Sequence, residues 1–149
     1  MQPRILIISP VRNEAAHIER VVRAVAKQEL QPARWILVED ASTDGTLEIL
    51  RSLAPRVPFM EVLEAGATSV HAGARDRLAR AAAPRNFRIG LSAIDWRQYT
   101  HIMKLDGDIE LQPNYLRVLL ERFAAEPRLG LAGGVLVEPL PAGGDALVF

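Results

Sequence analysis

Four apolar residues stand in a row at Ile5-Leu6-Ile7-Ile8, and four more at Trp35-Ile36-Leu37-Val38. An unbroken apolar run leaves no polar face for water, so a strand built from it is buried on both sides. That condition is met in a parallel sheet covered by helices on each face. The first strand is placed at Arg4 to Ser9 and the second at Trp35 to Val38.

The segments between and beyond these runs alternate in the same sense. Pro10 to Asn13 reads as a turn, with Asn13 capping a helix from Glu14 to about Gln28 and Glu14 in its first turn. Ile18, Val21, Val22 and Val25 recur at helical spacing along it. Ser42-Thr43-Asp44-Gly45 opens a second helix carrying Leu47, Leu50 and Leu53, and a third strand runs from Phe59 to Leu63. A third helix is placed at about Asn86 to Arg97 and a fourth strand at His101 to Leu105. Gln112-Pro113 opens a fourth helix with the face Leu116, Leu119, Leu120 and Phe123. A fifth strand is read over Leu129 to Val137, broken at Gly133-Gly134. The expected fold is α/β, a mostly parallel sheet with strand order 3-2-1-4.

Ligands on such sheets bind beyond the carboxyl ends of the strands, near the point where the strand order reverses. Three polar turns fall on that edge: Pro10 to Asn13, Glu39 to Asp44, and Asp106-Gly107-Asp108. The last is the most telling. Two acids one residue apart at a strand tip are costly to crowd together, and a divalent cation removes that cost. Mg²⁺ and Mn²⁺ take oxygen ligands, with one or two carboxylates sharing the ion with substrate phosphates. Asp106 and Asp108 are therefore candidate metal ligands at a phosphate ester, and Gly107 allows a close backbone approach. Asp40, just past a central strand, suits hydrogen bonds from a base N–H or sugar hydroxyls. Ser42 and Asp44 read as turn and cap residues. Backbone N–H groups of the first turn are placed to face a nucleotide.

Arg75, Arg77, Arg80, Arg85 and Arg88 form a basic stretch, read mainly as a solvated helix face. Arg85 is the member carried forward as a phosphate ligand, because it directly precedes the helix leading into the acidic strand. His17, His71 and His101 are isolated and read as structural or surface residues. No Gly-x-Gly-x-x-Gly and no Gly-Lys-Ser/Thr occurs, so dinucleotide and P-loop readings fail.

At 149 residues the chain is one domain by length. Its formal net charge is zero, which gives no bulk electrostatic case for nucleic acid or an anionic membrane. It has no cysteine, which excludes disulfides, thiolate catalysis and cysteine-based zinc, and suits a reducing compartment. The apolar run at the N-terminus is too short for a signal-peptide core or a transmembrane helix.

Three segments in this order resemble the family 2 glycosyltransferases of the GT-A fold. They are Ile8-Ser9-Pro10-Val11-Arg12-Asn13-Glu14, Trp35-Ile36-Leu37-Val38-Glu39-Asp40-Ala41-Ser42-Thr43-Asp44-Gly45-Thr46 and Lys104-Leu105-Asp106-Gly107-Asp108. The likeness runs from about Arg4 to Gly134. It implies a Rossmann-like GT-A nucleotide-diphospho-sugar transferase fold. The implied reaction is inverting transfer of a sugar from a nucleotide-diphosphate donor, commonly UDP-linked, to an acceptor hydroxyl, assisted by Mn²⁺ or Mg²⁺.

By the same resemblance, Asp40 contacts the nucleotide base, and Asp106 lies near the ribose and metal. Asp108 ligates the metal at the diphosphate. Pro10 and Glu14 match the first-strand nucleotide edge, Arg12 between them is a further candidate for nucleotide-sugar binding, and Arg85 matches a basic residue of the donor pocket. Glu39 departs from the family, many of whose members have Asp there. The acceptor is a carbohydrate, lipid or protein, and the implied location is the cytoplasm, free or peripheral to the membrane.

An inverting transferase also needs a general base on the acceptor hydroxyl. The family carries it downstream of the donor half, so it is expected beyond Phe149. Residues 1–149 are accordingly expected to be the donor-binding part of a longer, truncated enzyme domain. Two alternatives stand beside this reading: a non-catalytic nucleotide-sugar-binding fragment, and a sugar nucleotidyltransferase of similar fold.

Overall fold

A computed structural model describes residues 2–66, 77–139 and 145–148, with the backbone alone described for 77–81, 139 and 145–148. The chain divides into two compact units, Met1–Leu116 and Arg117–Phe149.

The first unit is built on four parallel strands: β1 (Ile5–Val11), β2 (Arg34–Glu39), β3 (Met60–Glu64) and β4 (His101–Lys104). Their order is β3-β2-β1-β4, as the sequence predicts. β1 and β2 are buried along almost their whole length, which is why their sequences show no alternation. Each run extends beyond its expected limit, β1 through Val11 and β2 from Arg34 to Glu39.

Two connecting helices, α1 (Ile18–Ala26) and α2 (Thr46–Leu53), carry the chain from β1 through β2 to β3. Right-handed crossovers in one direction put both on the same face of the sheet, and they pack against each other. Ile18, Val21, Val22 and Val25 form the buried stripe of α1, as their spacing predicts. The connection back from β3 to β4 runs the other way, so α3 (Arg77–Ser92) covers the opposite face. There Leu6, Ile8, Ile36 and Val38 pack against Phe87, Ile89 and Leu91. Gly90 lets α3 approach closely: a Cβ at that position would lie 2.8 Å from Ile8 Cγ2 and 2.9 Å from Val38 Cγ2.

Several boundaries differ from the sequence reading. α1 begins four residues later than expected, because Asn13 takes a left-handed conformation (φ 55°) and its side chain serves another loop. His17 occupies the helix boundary without a side-chain cap. α3 spans Arg77–Ser92 rather than 86–97 and carries Pro84 inside it. The Ala- and Arg-rich stretch before Pro84 has high helix propensity, which outweighs the proline signal. The chain then leaves α3 through a 3₁₀ turn at Trp96–Gln98, with the Asp95 carboxylate accepting from Arg97 N–H.

The fourth helix, α4 (Tyr115–Ala125), starts in the first unit and continues into the second. Its first turn is held by Gln28. Gln28 Oε1 accepts from Leu116 N–H at 3.1 Å, and Nε2 donates to Gln112 O at 2.7 Å.

In the second unit, the expected fifth strand is replaced by an antiparallel pair, β5 (Leu136–Pro139) and β6 (Asp145–Val148). These form a two-stranded sheet of their own. The Gly133-Gly134 break leaves residues 129–135 outside any strand, so only the last part of the predicted segment pairs. Among the described residues, no helix is long and apolar enough to cross a membrane.

Candidate functional site

The central position of β1, between β2 and β4, brings three loops together at one sheet edge. They follow β1 (Arg12 to His17), β2 (Asp40 to Gly45) and β4 (Leu105 to Asp108).

The first two loops are laced together. Ser42 Oγ accepts from Asn13 N–H at 3.0 Å, and Asn13 Oδ1 accepts from Thr43 N–H at 2.9 Å. Thr46 Oγ1 accepts from Glu14 N–H at 2.8 Å. The Asp44 carboxylate accepts from Ala15 N–H at 3.0 Å, and from the Thr46 N–H and hydroxyl. These bonds hold the Asp44 carboxyl below the usual range, with the Thr46 side chain the largest cause. The N–H groups of residues 13 to 15 are therefore occupied within the protein, contrary to the expectation that they face a ligand. Ser42 and Asp44 are turn residues as predicted, but they also fasten the neighbouring loop. Gly45, with φ 95°, forms the start of α2.

Glu39 is buried, and its Oε1 accepts from Ser42 N–H at 2.6 Å. Its longer side chain thus works inside the loop, bracing the turn that carries Asp40. Ala41, at φ 50°, bends the chain directly after Asp40, a conformation that costs a non-glycine residue roughly 1–2 kcal/mol.

Asp40 is the most unusual group of the edge. It is 1% exposed, and neither carboxylate oxygen has a hydrogen-bond partner. Arg12 Nη1 lies 3.8 Å from Oδ2, on a half-exposed side chain. Buried carboxylates are ordinarily paired and hydrogen-bonded, so two bare oxygens set Asp40 apart from the other buried polar groups of the edge.

The acidic segment meets the first loop through Gly107. A Cβ there would lie 3.0 Å from Glu14 Cγ and 3.5 Å from Val11 Cγ2, so the glycine admits Glu14. Burial pushes the Glu14 carboxyl up. Asp108 adds to the rise, His17 opposes it, and Asp44 and Asp106 raise it further. Glu14, Asp44, Asp106 and Asp108 thus share one negative field. Asp106 is ion-paired with Lys104, and Asp106 and Asp108 are both exposed.

No group of three or more metal-ligating side chains is assembled among the described residues. Two exposed carboxylates, Asp106 and Asp108, are too few for an all-protein cage and would fit a cation that takes its remaining ligands from a phosphate-bearing molecule and water. The crowding felt by Glu14 fits such a cation.

Pro10 is partly buried near the end of β1. Arg85 lies on α3, partly buried, while Arg88 is exposed. Arg75 and His71 lie outside the described residues, as do the side chains of Arg77 and Arg80. His17 Nδ1 accepts from Arg20, and His101 Nδ1 is bonded to the Thr100 hydroxyl, consistent with structural roles. Sequence reasoning passes over Asn86, which is 2% exposed with Oδ1 unpartnered. The available signal is its spacing, four residues before Gly90 on the sheet-facing side of α3.

The fold recurs in solved structures. The crystal structure of S. aureus TarS 1-349 in complex with UDP-GlcNAc superposes with TM-score 0.63 at 18% identity, covering 83% of this chain and 32% of that one. A 4-diphosphocytidyl-2C-methyl-D-erythritol synthase superposes with TM-score 0.53 at 14% identity, covering 95% and 62%. At such identities the likeness establishes the fold alone.

In sequence, a stretch of 61 residues is 44% identical to the succinoglycan biosynthesis protein ExoA of Rhizobium meliloti (strain 1021). It covers 38% of this chain and 18% of that protein, so the present chain corresponds to a minor part of these relatives' length. The profile of glycosyl transferase family 2 matches residues 6–142. Nearly the whole chain is matched, all three loops of the edge included, and it belongs to glycosyl transferase family 2.

Proposed function

We propose that this chain is the donor-binding part of an inverting glycosyltransferase that uses a UDP-linked sugar and a divalent cation. The observation that carries the reading is Asp40, a buried carboxylate with two unpaired oxygens at the sheet edge where nucleotides bind in such folds. In this reading Asp40 accepts from the nucleobase N–H, beside Pro10 and Arg12. Asp106 and Asp108 face the ribose and diphosphate, and Arg85 offsets phosphate charge. UDP-GlcNAc in the related TarS structure supports the choice of donor class.

Asp108, with Asp106, would hold Mn²⁺ or Mg²⁺ at the diphosphate. Bound there, the cation supplies Lewis-acid stabilisation of the leaving diphosphate. Glu14 contributes to the negative field that favours it. ExoA's name, a biosynthesis protein for succinoglycan, supports a polysaccharide or other envelope acceptor.

Calorimetric titration of UDP tests the reading, with Mn²⁺ and then with excess EDTA, on the wild-type chain and on Asp108→Ala. Metal-dependent binding that Asp108→Ala abolishes without unfolding supports it. Folded wild-type protein that binds no UDP in either buffer overturns it.

A further inference from the structure

Asp106 and Asp108 stand on a connection between β4 and α4, and residues 105–114 form neither strand nor helix. Such a segment has no ladder of its own to hold its shape, so its placement depends on what fastens its two ends. The sheet fastens the entry. Leu105 N–H donates to Ile8 O at 3.2 Å, and the Leu105 side chain is buried.

Gln28 fastens the exit. It follows Lys27, the C-cap of α1, and is 4% exposed. The end of a helix leaves carbonyl oxygens without N–H partners, and the start of a helix leaves N–H groups without acceptors. Gln28 serves one of each. Its own N–H turns to Val25 O instead of Ala24 O, and its Nε2 donates to Ala24 O at 3.3 Å. Nε2 also donates to Gln112 O at 2.7 Å, and Oε1 accepts from Leu116 N–H in the first turn of α4 at 3.1 Å. Both amide hydrogens and the oxygen are thus engaged. Gln112 O accepts from Tyr115 N–H as well, at 2.9 Å, so the atom that Gln28 grips is the one that closes the turn into α4.

Two further links run the same way. Glu29 N–H donates to Pro113 O at 2.9 Å, and Arg20 Nε lies 3.1 Å from Glu110 Oε1. The ion pair is exposed and contributes little alone. The buried bonds of Gln28 fix the register. They come from α1, whose stripe of Ile18, Val21, Val22 and Val25 is anchored in the core.

We propose that Gln28 is a positioning residue for the divalent cation, holding the Asp106–Asp108 segment in place without touching the ion. This deepens the proposed function and rests on that donor site. Asp108 lies four residues before Gln112, so the grip on Gln112 O sets where the second carboxylate stands. Two exposed carboxylates on a loose segment lose freedom when a cation gathers them. A segment tied at both ends has less to lose.

The test titrates Mn²⁺ into the wild-type chain, Gln28→Met and Gln28→Ala, each with excess UDP, and follows amide hydrogen exchange on the metal-free proteins. Met keeps the length of the side chain and removes its three bonds. Ala leaves room for water to bond the freed groups, which keeps a folded variant at hand if Met does not fold. Half-saturation is expected to need about three- to tenfold more Mn²⁺ in the variants, the worth of one hydrogen bond. Exchange is expected to quicken over residues 105–116 while Leu6 to Ile8 stay protected. A general loss of stability in a chain that remains folded reduces the amount of competent protein and leaves the half-saturating concentration where it was. An unchanged Mn²⁺ midpoint, whatever the exchange, overturns the assignment and leaves the donor site standing. So does a raised midpoint with unchanged exchange over residues 105–116. Rapid exchange of Leu116 N–H in metal-free wild type overturns it without recourse to a variant. Wild-type protein that binds no UDP, with Mn²⁺ or without, overturns the donor site and this assignment together.

Discussion

The Arg12 guanidinium stops 3.8 Å from the Asp40 carboxylate, near enough to feel its charge and too far to hydrogen-bond it. Arg12 lies half in solvent while Asp40 is almost fully buried. The contact leaves the lone pairs of Asp40 unoccupied. A carboxylate with both oxygens unbonded can accept from a neutral N–H donor, the role proposed here for a nucleobase ring nitrogen.

Gly90 fixes how closely α3 approaches the sheet. Gly90→Ala places a methyl under 3 Å from Ile8 and Val38 side chains. The substitution is expected to destabilise the fold by about 1–3 kcal/mol, the usual cost of overpacking. Denaturant unfolding checks this. A change below about 0.5 kcal/mol, the range of neutral surface substitutions, contradicts the close approach.

Gly107 admits Glu14 to the acidic edge. A methyl at 107 meets Glu14 Cγ at 3.0 Å, and that flexible side chain can move. Gly107→Ala is expected to cost less stability than Gly90→Ala and to weaken metal-dependent UDP binding more. Unfolding and titration of the two variants side by side give the comparison, and the reverse order contradicts it.

Glu14 carries a pH signature. Its folded value is raised above 4.5, first by burial and then by Asp108, with His17 opposing and Asp44 and Asp106 adding. The folded chain therefore holds a proton that the unfolded chain has already released. The stabilisation is complete below about the unfolded value and is lost as pH rises through the folded one. In metal-free buffer, Glu14→Gln is expected to flatten this decline and raise the unfolding temperature at neutral pH relative to wild type. Parallel melting curves across pH 4 to 8 suffice, and identical slopes contradict the assignment.

The sheet order was legible because Ile5 to Ile8 and Trp35 to Val38 state their burial directly. The three edge turns were legible because loops after parallel strands are short, and their polar residues stand out against apolar runs. Helix limits were read less well. Asn13 looks like a cap in isolation, but Thr43, 30 residues away, claims its side chain, and no local pattern announces that. Pro84 looks like a boundary, yet α3 passes through it. The pairing of β5 with β6 depends on a hairpin partner whose sequence gives no strong alternation. Within the site, Asp40 was identifiable from its place after a central strand. Its lack of partners, and that of Asn86, depends on packing between distant elements and is visible only in three dimensions.

The central claim is that the bare carboxylate of Asp40 exists to receive a nucleotide. Asp40→Asn tests it most directly, with UDP affinity by calorimetry and nucleotide-free unfolding measured on the same preparations. Removing a buried charge without hydrogen bonds is expected to leave the unfolding temperature unchanged or higher. UDP affinity is expected to fall about ten- to hundredfold, the worth of a hydrogen bond to a charged group. A variant that unfolds at lower temperature while binding UDP as tightly as wild type would show that Asp40 serves the fold and not the ligand.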